Sequence, residues 1–189
     1  MIRRKKVLPL AKQLAPKALE FDDSLAEART PLAAVMAEFD LDLAAAEREF
    51  KRAIEVNPNY AMAHAWYGED VLSVMGRFPE ALSELRQAEV LDPLSRAINA
   101  IHGYVLYLAR DNDAAILQLR KTLELGENFP LVHMYLGRAY VQTKSYAKAV
   151  AEFKKADDLS RGEAFHRAWL SYGYAVSAIP AEPGKYSTS

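Results

Sequence analysis

The chain has no cysteine, which excludes disulfides, thiolate metal centres and cysteine nucleophiles, and fits an intracellular protein without assigning a compartment. Glycine and proline are sparse, 8 and 9 among 189 residues. With 51% hydrophobic and 26% charged residues, the composition is that of a folded, helix-friendly chain and not a disordered one. No apolar run approaches the ~20 residues of a membrane span; "VLPLA" near the start is cut by Lys12, too early for a signal-peptide core. A membrane is therefore not an expected partner, and the cytoplasm is the expected location. Charge of one sign is also missing, because 24 basic against 25 acidic residues leave a net charge of −1. That balance gives no general attraction to nucleic acid. The dense basic run, Arg3 to Lys6, stands at a terminus, where a solvated or disordered tip is the ordinary reading.

What the chain does have is repetition. Ala46, Ala81, Ala115 and Ala149 follow one another at 35, 34 and 34 residues. Small residues Ala33, Gly68, Gly103, Gly137 and Ser171 stand 22 residues after Ala11, Ala46, Ala81, Ala115 and Ala149. Four residues after each of the last four alanines comes Phe50, Leu85, Leu119 or Phe153, and three further on Ala53, Ala88, Thr122 or Ala156. Large and small residues so spaced share one helical face, and a small side chain admits a second helix closely. Pro58, Pro93, Gly126 and Gly162 supply the stop signals. Each unit is therefore two helices joined by a tight turn, and units of this kind bury their apolar faces only by stacking.

These residues resemble the tetratricopeptide repeat, whose pattern is W-x2-L-G-x2-Y, then A-x3-F and a later P. "HMYLGRAY" at 133–140 with Ala149, Phe153 and Ala156 is the fullest copy, with His133 at the Trp place. "HAWYGEDV" with Ala81, Leu85 and Pro93 follows, then "NAIHGYVL" and "RTPLAAVM". The resemblance implies an all-α fold, a right-handed α-solenoid of stacked antiparallel helix hairpins with about ten helices. The expected single array over 1–178 has a half-repeat at 8–25, repeats at 26–60, 61–95, 96–129 and 130–163, and a half-repeat at 164–178; residues 179–189 read as a disordered tail. The gap from small residue to next Ala is 13 in the first two full units and 12 in the next two. The extra residue is expected in the turns near Asp40 and Gly76. Pro31 is expected late in a first turn, and Pro16 to kink or break its helix.

Catalytic and metal-binding patterns are absent from the sequence. There is no G-x-S-x-G, no glycine-rich phosphate loop, no HExxH and no His-x3-His. His64 and His133 stand at equivalent repeat positions, roughly 20 Å apart in stacked helices, so one metal cannot bridge them; they read as packing residues. Glu47 and Lys51, four apart, read as a solvated helix face. Neither enzyme activity nor a cofactor is expected. Binding surface remains. In the family, the first helix of each repeat lines a concave groove for peptides, and the matching places here are Met62, Glu69, Leu72, Tyr104, Tyr107, Leu108, Met134, Arg138, Val141, Gln142 and Tyr172. The resemblance thus implies a protein or peptide partner, with an apolar or amphipathic segment favoured and Arg138 pairing an acidic group on it. Two alternatives stand beside this. One is a homo-oligomeric scaffold joined through Phe165, Trp169 and Tyr174 of the apolar last helix; the other is the ligand-sensing part of a larger bacterial regulator.

Overall fold

In the computed structural model, described for residues 2–178 and for side chains from residue 8, the elements are helical. The second helix of each hairpin forms because its apolar residues keep the three- and four-residue spacing of one helical stripe. The helices are α1 (Ile2–Phe21), α2 (Ala26–Glu38), α3 (Leu43–Val56), α4 (Ala61–Tyr67, continuing through a π-turn over Gly68–Leu72), α5 (Phe78–Leu91), α6 (Arg96–Leu108), α7 (Asn112–Glu124), α8 (Pro130–Gln142), α9 (Tyr146–Leu159) and α10 (Ala164–Ala178). The fold class is the all-α array of antiparallel helix hairpins that the repeats imply. The helices form two compact units, residues 1–111 and 112–189. In the first unit each helix packs on the next, and α2, α4 and α6 also lie side by side. In the second, α8 packs on α7, α9 and α10. The tail 179–189, expected to be disordered, lies outside the described residues, as do the side chains of Arg3 to Lys6.

The repeated triplets are the core. Ala46, Phe50 and Ala53, Ala81, Leu85 and Ala88, Ala115, Leu119 and Thr122, and Ala149, Phe153 and Ala156 are all at 0% exposure. The small residue of a first helix is what lets the triplet of its own second helix approach. A Cβ on Gly68 would stand 3.0 Å from the Ala81 carbonyl oxygen and 3.2 Å from Leu85, and one on Gly137 would stand 2.4 Å from the Phe153 ring. Ser171 departs from the pattern. It is exposed, because α10 has no second helix packed on that side among the described residues.

Asn57 and Asp92 end α3 and α5 in non-helical backbone, one residue before Pro58 and Pro93. The turns inside the hairpins share one cap. In three of them an amide reaches five residues back, Arg77 to Leu72, Asp111 to Leu106 and Ser145 to Tyr140, while the residue just before it, Gly76, Arg110 or Lys144, holds a positive φ. This common cap locates the two extra residues. In the first hairpin the closing bond runs six residues, from the Asp42 amide to the Met36 carbonyl, with Leu41 at φ 54°; that insertion lies in the turn, as expected. In the second the cap is unaltered, and the insertion lies upstream, inside the helix, where the Ser73 amide reaches five residues back to Gly68. The expectation of an enlarged turn near Gly76 is thus corrected: the residue is absorbed as a π-turn.

Pro16 does not break its helix: α1 runs on through both Pro9 and Pro16. Lys12, whose carbonyl loses its donor to Pro16, and Pro16 itself are exposed, so water can replace the missing bond. α2 likewise runs through Pro31.

A second repeated feature fixes first helix to second helix. The residue four before each small residue is polar and reaches in two directions. Arg29 donates from Nη1 to Glu49 Oε2 at 2.8 Å and from Nη2 to the Asp23 carbonyl at 2.7 Å. His64 donates from Nδ1 to Glu84 Oε2 at 2.6 Å and from Nε2 to the Pro58 carbonyl at 3.0 Å. His133 repeats this with Glu152 Oε2 at 2.6 Å and the Glu127 carbonyl at 3.0 Å. Asn99 donates to the Pro93 carbonyl at 3.1 Å. The carbonyl is six residues back in all four, and the carboxylate met by Arg29, His64 and His133 comes from the helix that closes the hairpin. Each of these three clasps ties the inter-repeat loop, the first helix and the second helix at one side chain. His64 and His133 are buried, as packing residues are, but each also meets a carboxylate, of Glu84 and of Glu152, at 2.6 Å.

A carbonyl only accepts, so Nε2 of His64 carries a proton, and Nδ1 facing a carboxylate favours a second. Burial opposes the charge, yet the hydrogen bonds to Glu84 and Pro58 outweigh it and raise the His64 pKa. At the other clasp burial would push Glu152 upward, but the hydrogen bonds from His133 and Lys155 hold it below the usual carboxylate value.

Gly137→Ala is expected to destabilise the chain by about 1–3 kcal/mol in urea unfolding, because Phe153 must move for the new methyl. A histidine whose pKa rises on folding adds stability that is complete below about pH 6.5, its unfolded value, and lost as pH rises through the folded value. An NMR titration is therefore expected to place His64 above about 6.5, and Glu84→Gln to lower it. The stability gap between wild type and Glu84→Gln should shrink as the pH is raised from about 6 to about 9.

Candidate functional site

With second helices and clasps fixing their pitch, the first helices present a strip of side chains. Tyr104, Tyr107 and Leu108, three and four residues apart on α6, share a face and are each half-buried. The two tyrosine rings lie 6.3 Å apart with planes 15° from parallel. On α4, Met62 and Glu69 are likewise half-buried, and the Glu69 carbonyl accepts from Ser73 Oγ at 2.6 Å.

Leu72 does not belong to this strip. It is 1% exposed, in the core with Val71 and Leu85. The cause is the π-turn, which moves every later residue of α4 one place along. Counting back from the shared cap, Leu72 takes the place of Leu106, while Ser73 and Val74 take those of Tyr107 and Leu108. Val74, absent from the expected groove residues, is accordingly 63% exposed. Met134 is also 1% exposed. Its place, three before the small residue of α2, α4, α6 and α8, is filled by Thr30, Ala65 and Ala100 in the first three, and all four are buried; it is a core position.

In the second unit, Arg138 lies with its guanidinium carbon 4.7 Å from the centre of the Trp169 ring, a cation over an aromatic face. Trp169 in turn stacks on Phe153 at 5.9 Å and meets Tyr172 edge-on at 5.6 Å. Trp169 is thus a packed residue of α8, α9 and α10. Phe165 and Tyr174, expected with it at an assembly surface, are exposed, as is Tyr172. Val141 is half-buried and Gln142 exposed at the end of α8. His166 is 6% exposed, and burial lowers its pKa.

The first unit also carries a network around Glu47, not a merely solvated face. Glu47 Oε1 accepts from Arg77 Nη1 and Tyr67 Oη, each at 2.8 Å, and pairs with Lys51 at 2.9 Å. Hydrogen bonds from Arg77, Lys51 and Tyr67 hold its pKa at about 2. Beside it a cavity of about 410 Å³ is bounded by Lys51, Tyr67, Arg77, Glu80 and Glu84. Its charges neutralise one another: Arg77 reaches Glu80 at 2.6 Å as well as Glu47. Among the described residues no three His, Asp or Glu side chains are placed to hold a metal ion, and no helix is long and apolar enough to cross a membrane.

The sequence profile of the tetratricopeptide repeat family matches residues 70–130 and 102–164. Human tetratricopeptide repeat protein 13 is 28% identical over 127 residues, which is 67% of this chain and 14% of that protein's length. Among solved structures, TTC0263, a thermophilic tetratricopeptide repeat protein of Thermus thermophilus, superposes with a TM-score of 0.79 at 21% identity, covering 91% of this chain and 99% of its own. YrrB, described as having an unusual peptide-binding site, superposes with a TM-score of 0.60 at 20% identity, covering 86% and 83%. Fully buried triplets, close contacts at the small residues and the profile match over 70–164 lead to one conclusion: the chain belongs to the tetratricopeptide repeat family.

Proposed function

We propose that the chain is a non-catalytic, cytoplasmic interaction module that takes an extended or amphipathic peptide segment on its first-helix faces. Membership in the family supports a protein–protein interaction scaffold. The observation that carries the finer reading is the pair of near-parallel, half-buried rings of Tyr104 and Tyr107 beside Leu108 on α6. Aromatic side chains held in place by their neighbours offer large contact area at small entropic cost, the property of residues that dominate interfaces. Met62, Glu69 and Val74 extend the same strip on α4, adding an adaptable thioether, a carboxylate and an exposed apolar side chain. In the second unit Val141, Gln142 and Tyr172 offer contact, while Arg138 is engaged with Trp169 and orders that face. The packing of Trp169 on Phe153 weighs against self-association centred on that residue.

Peptides selected from a random-sequence display library against the full chain are expected to lose about tenfold or more in affinity on Tyr104→Ser with Tyr107→Ser, by analogy with central aromatic anchors elsewhere. Thermal melting should change little, since both side chains are only half-buried. Selected peptides that bind the double variant undiminished would sink this reading.

A further inference from the structure

Three residues depart together from what the repeats carry at their places. Glu47 stands one residue after Ala46, where α5, α7 and α9 carry Leu82, Ile116 and Val150. Tyr67 stands just before Gly68, where α2, α8 and α10 carry Leu32, Leu136 and Leu170, and α6 carries His102. Arg77 closes its turn where the other hairpins have Asp42, Asp111 and Ser145. Asp42 caps its helix by accepting from the Ala45 amide, and Arg77 makes no such cap. Each exchange alone costs desolvation or a cap, yet Tyr67 and Arg77 both donate to Glu47 Oε1, at 2.8 Å. Joint departures from the local rules of a fold mark functional places.

The cavity of about 410 Å³ beside this network has the size of a small-ligand pocket. Ile54, Tyr67 and Leu72 give it an apolar floor, and its walls come from Lys51 and Glu55 of α3 and from Glu80, Ser83 and Glu84 of α5. The two cations at its rim are engaged. Lys51 is held by Glu47 at 2.9 Å, and Arg77 by Glu47 and by both oxygens of Glu80. The acceptors are less so. Glu84 gives Oε2 to His64 and Glu55 gives Oε2 to Arg52. Among the described residues, Oε1 of each and Oγ of Ser83 have no hydrogen-bond partner.

We propose that this cavity binds an aliphatic primary ammonium group, its methylene stem on Ile54 and Tyr67 and its three N–H donors shared among Glu55, Ser83 and Glu84. A guanidinium fits less well, because its paired N–H groups match both oxygens of one carboxylate, and Glu55 and Glu84 each offer one. Glu47 is a positioning residue: it holds Lys51 and Arg77 away from the acceptors that those cations would otherwise fill. The site lies between second helices, apart from the Tyr104 and Tyr107 strip. A lysine side chain of a partner and a free alkylamine share this chemistry.

The probes are Nα-acetyl-lysine methylamide and pentylamine, with Nα-acetyl-norleucine methylamide as the neutral control, titrated into the full chain and followed by NMR of the backbone amides and of His64. Both cations are expected to bind with a dissociation constant of about 1 mM, shifting the amides of Ile54, Tyr67, Ser83 and Glu84, and the tighter of the two tells a partner's side chain from a free amine as the source. Because the ammonium competes with His64 for Glu84, saturation should lower the His64 pKa. Glu84→Gln, Ser83→Ala and Glu47→Leu, the last restoring the residue type of the other repeats, should each weaken both cations about threefold or more. Ser83 is exposed, so Ser83→Ala carries the test if Glu47→Leu perturbs folding. Tyr104→Ser with Tyr107→Ser, and Asp113→Asn at an exposed acid of α7, should change nothing. Equal binding of the norleucine compound, shifts centred away from the cavity, an equal loss in Asp113→Asn, or no binding by about 10 mM probe overturns the proposal.

Discussion

The close approach of a small residue on one helix to an alanine and a large apolar residue on the next is the contact on which the rest depends. Neither helix of a hairpin can bury its stripe alone, and packing at this distance leaves no room for a side chain beyond hydrogen at Gly137. Once that contact is made, the polar residue four places earlier is carried to its carboxylate, and the far side of the first helix is turned outward. The surface chemistry follows from the core geometry and not the reverse.

Much of this was legible in the residues. The A-x3-F-x2-A triplets name the core of the second helices, because buried positions on a regular helix must recur at its own period. The π-turn was not legible. A spacing of 13 in place of 12 reports that a residue has been added, not whether turn or helix holds it, and only the unaltered cap at Gly76 decides between them. The misplacement of Leu72 follows from that single ambiguity, since every position beyond the insertion shifts by one. Met134 failed for another reason. A family pattern places lining residues by number, but Thr30, Ala65, Ala100 and Met134 are all buried, which no spacing between single residues reveals.

The clasps lie between these cases. The equivalence of His64 and His133 was visible, yet without a partner in view a histidine on an apolar face reads as packing. The partners were present at separations of 20, 20 and 19 residues, for Arg29 with Glu49, His64 with Glu84 and His133 with Glu152. Comparing unlike residues at equivalent positions would have found them, because arginine, histidine and asparagine share donors and little else.

The turns do one job with unequal materials. Gly76 adopts the left-handed backbone at φ 73° freely, whereas Leu41, Arg110, Lys144 and Arg161 hold φ between 54° and 68° against their own side chains, at roughly 1 kcal/mol each. The hairpins therefore start from different distances to opening. The amides of Asp111 and Ser145, which close strained turns, should exchange with solvent sooner than that of Arg77, which closes a relaxed one. Local fraying along the chain then has an order set by which turns were given glycine.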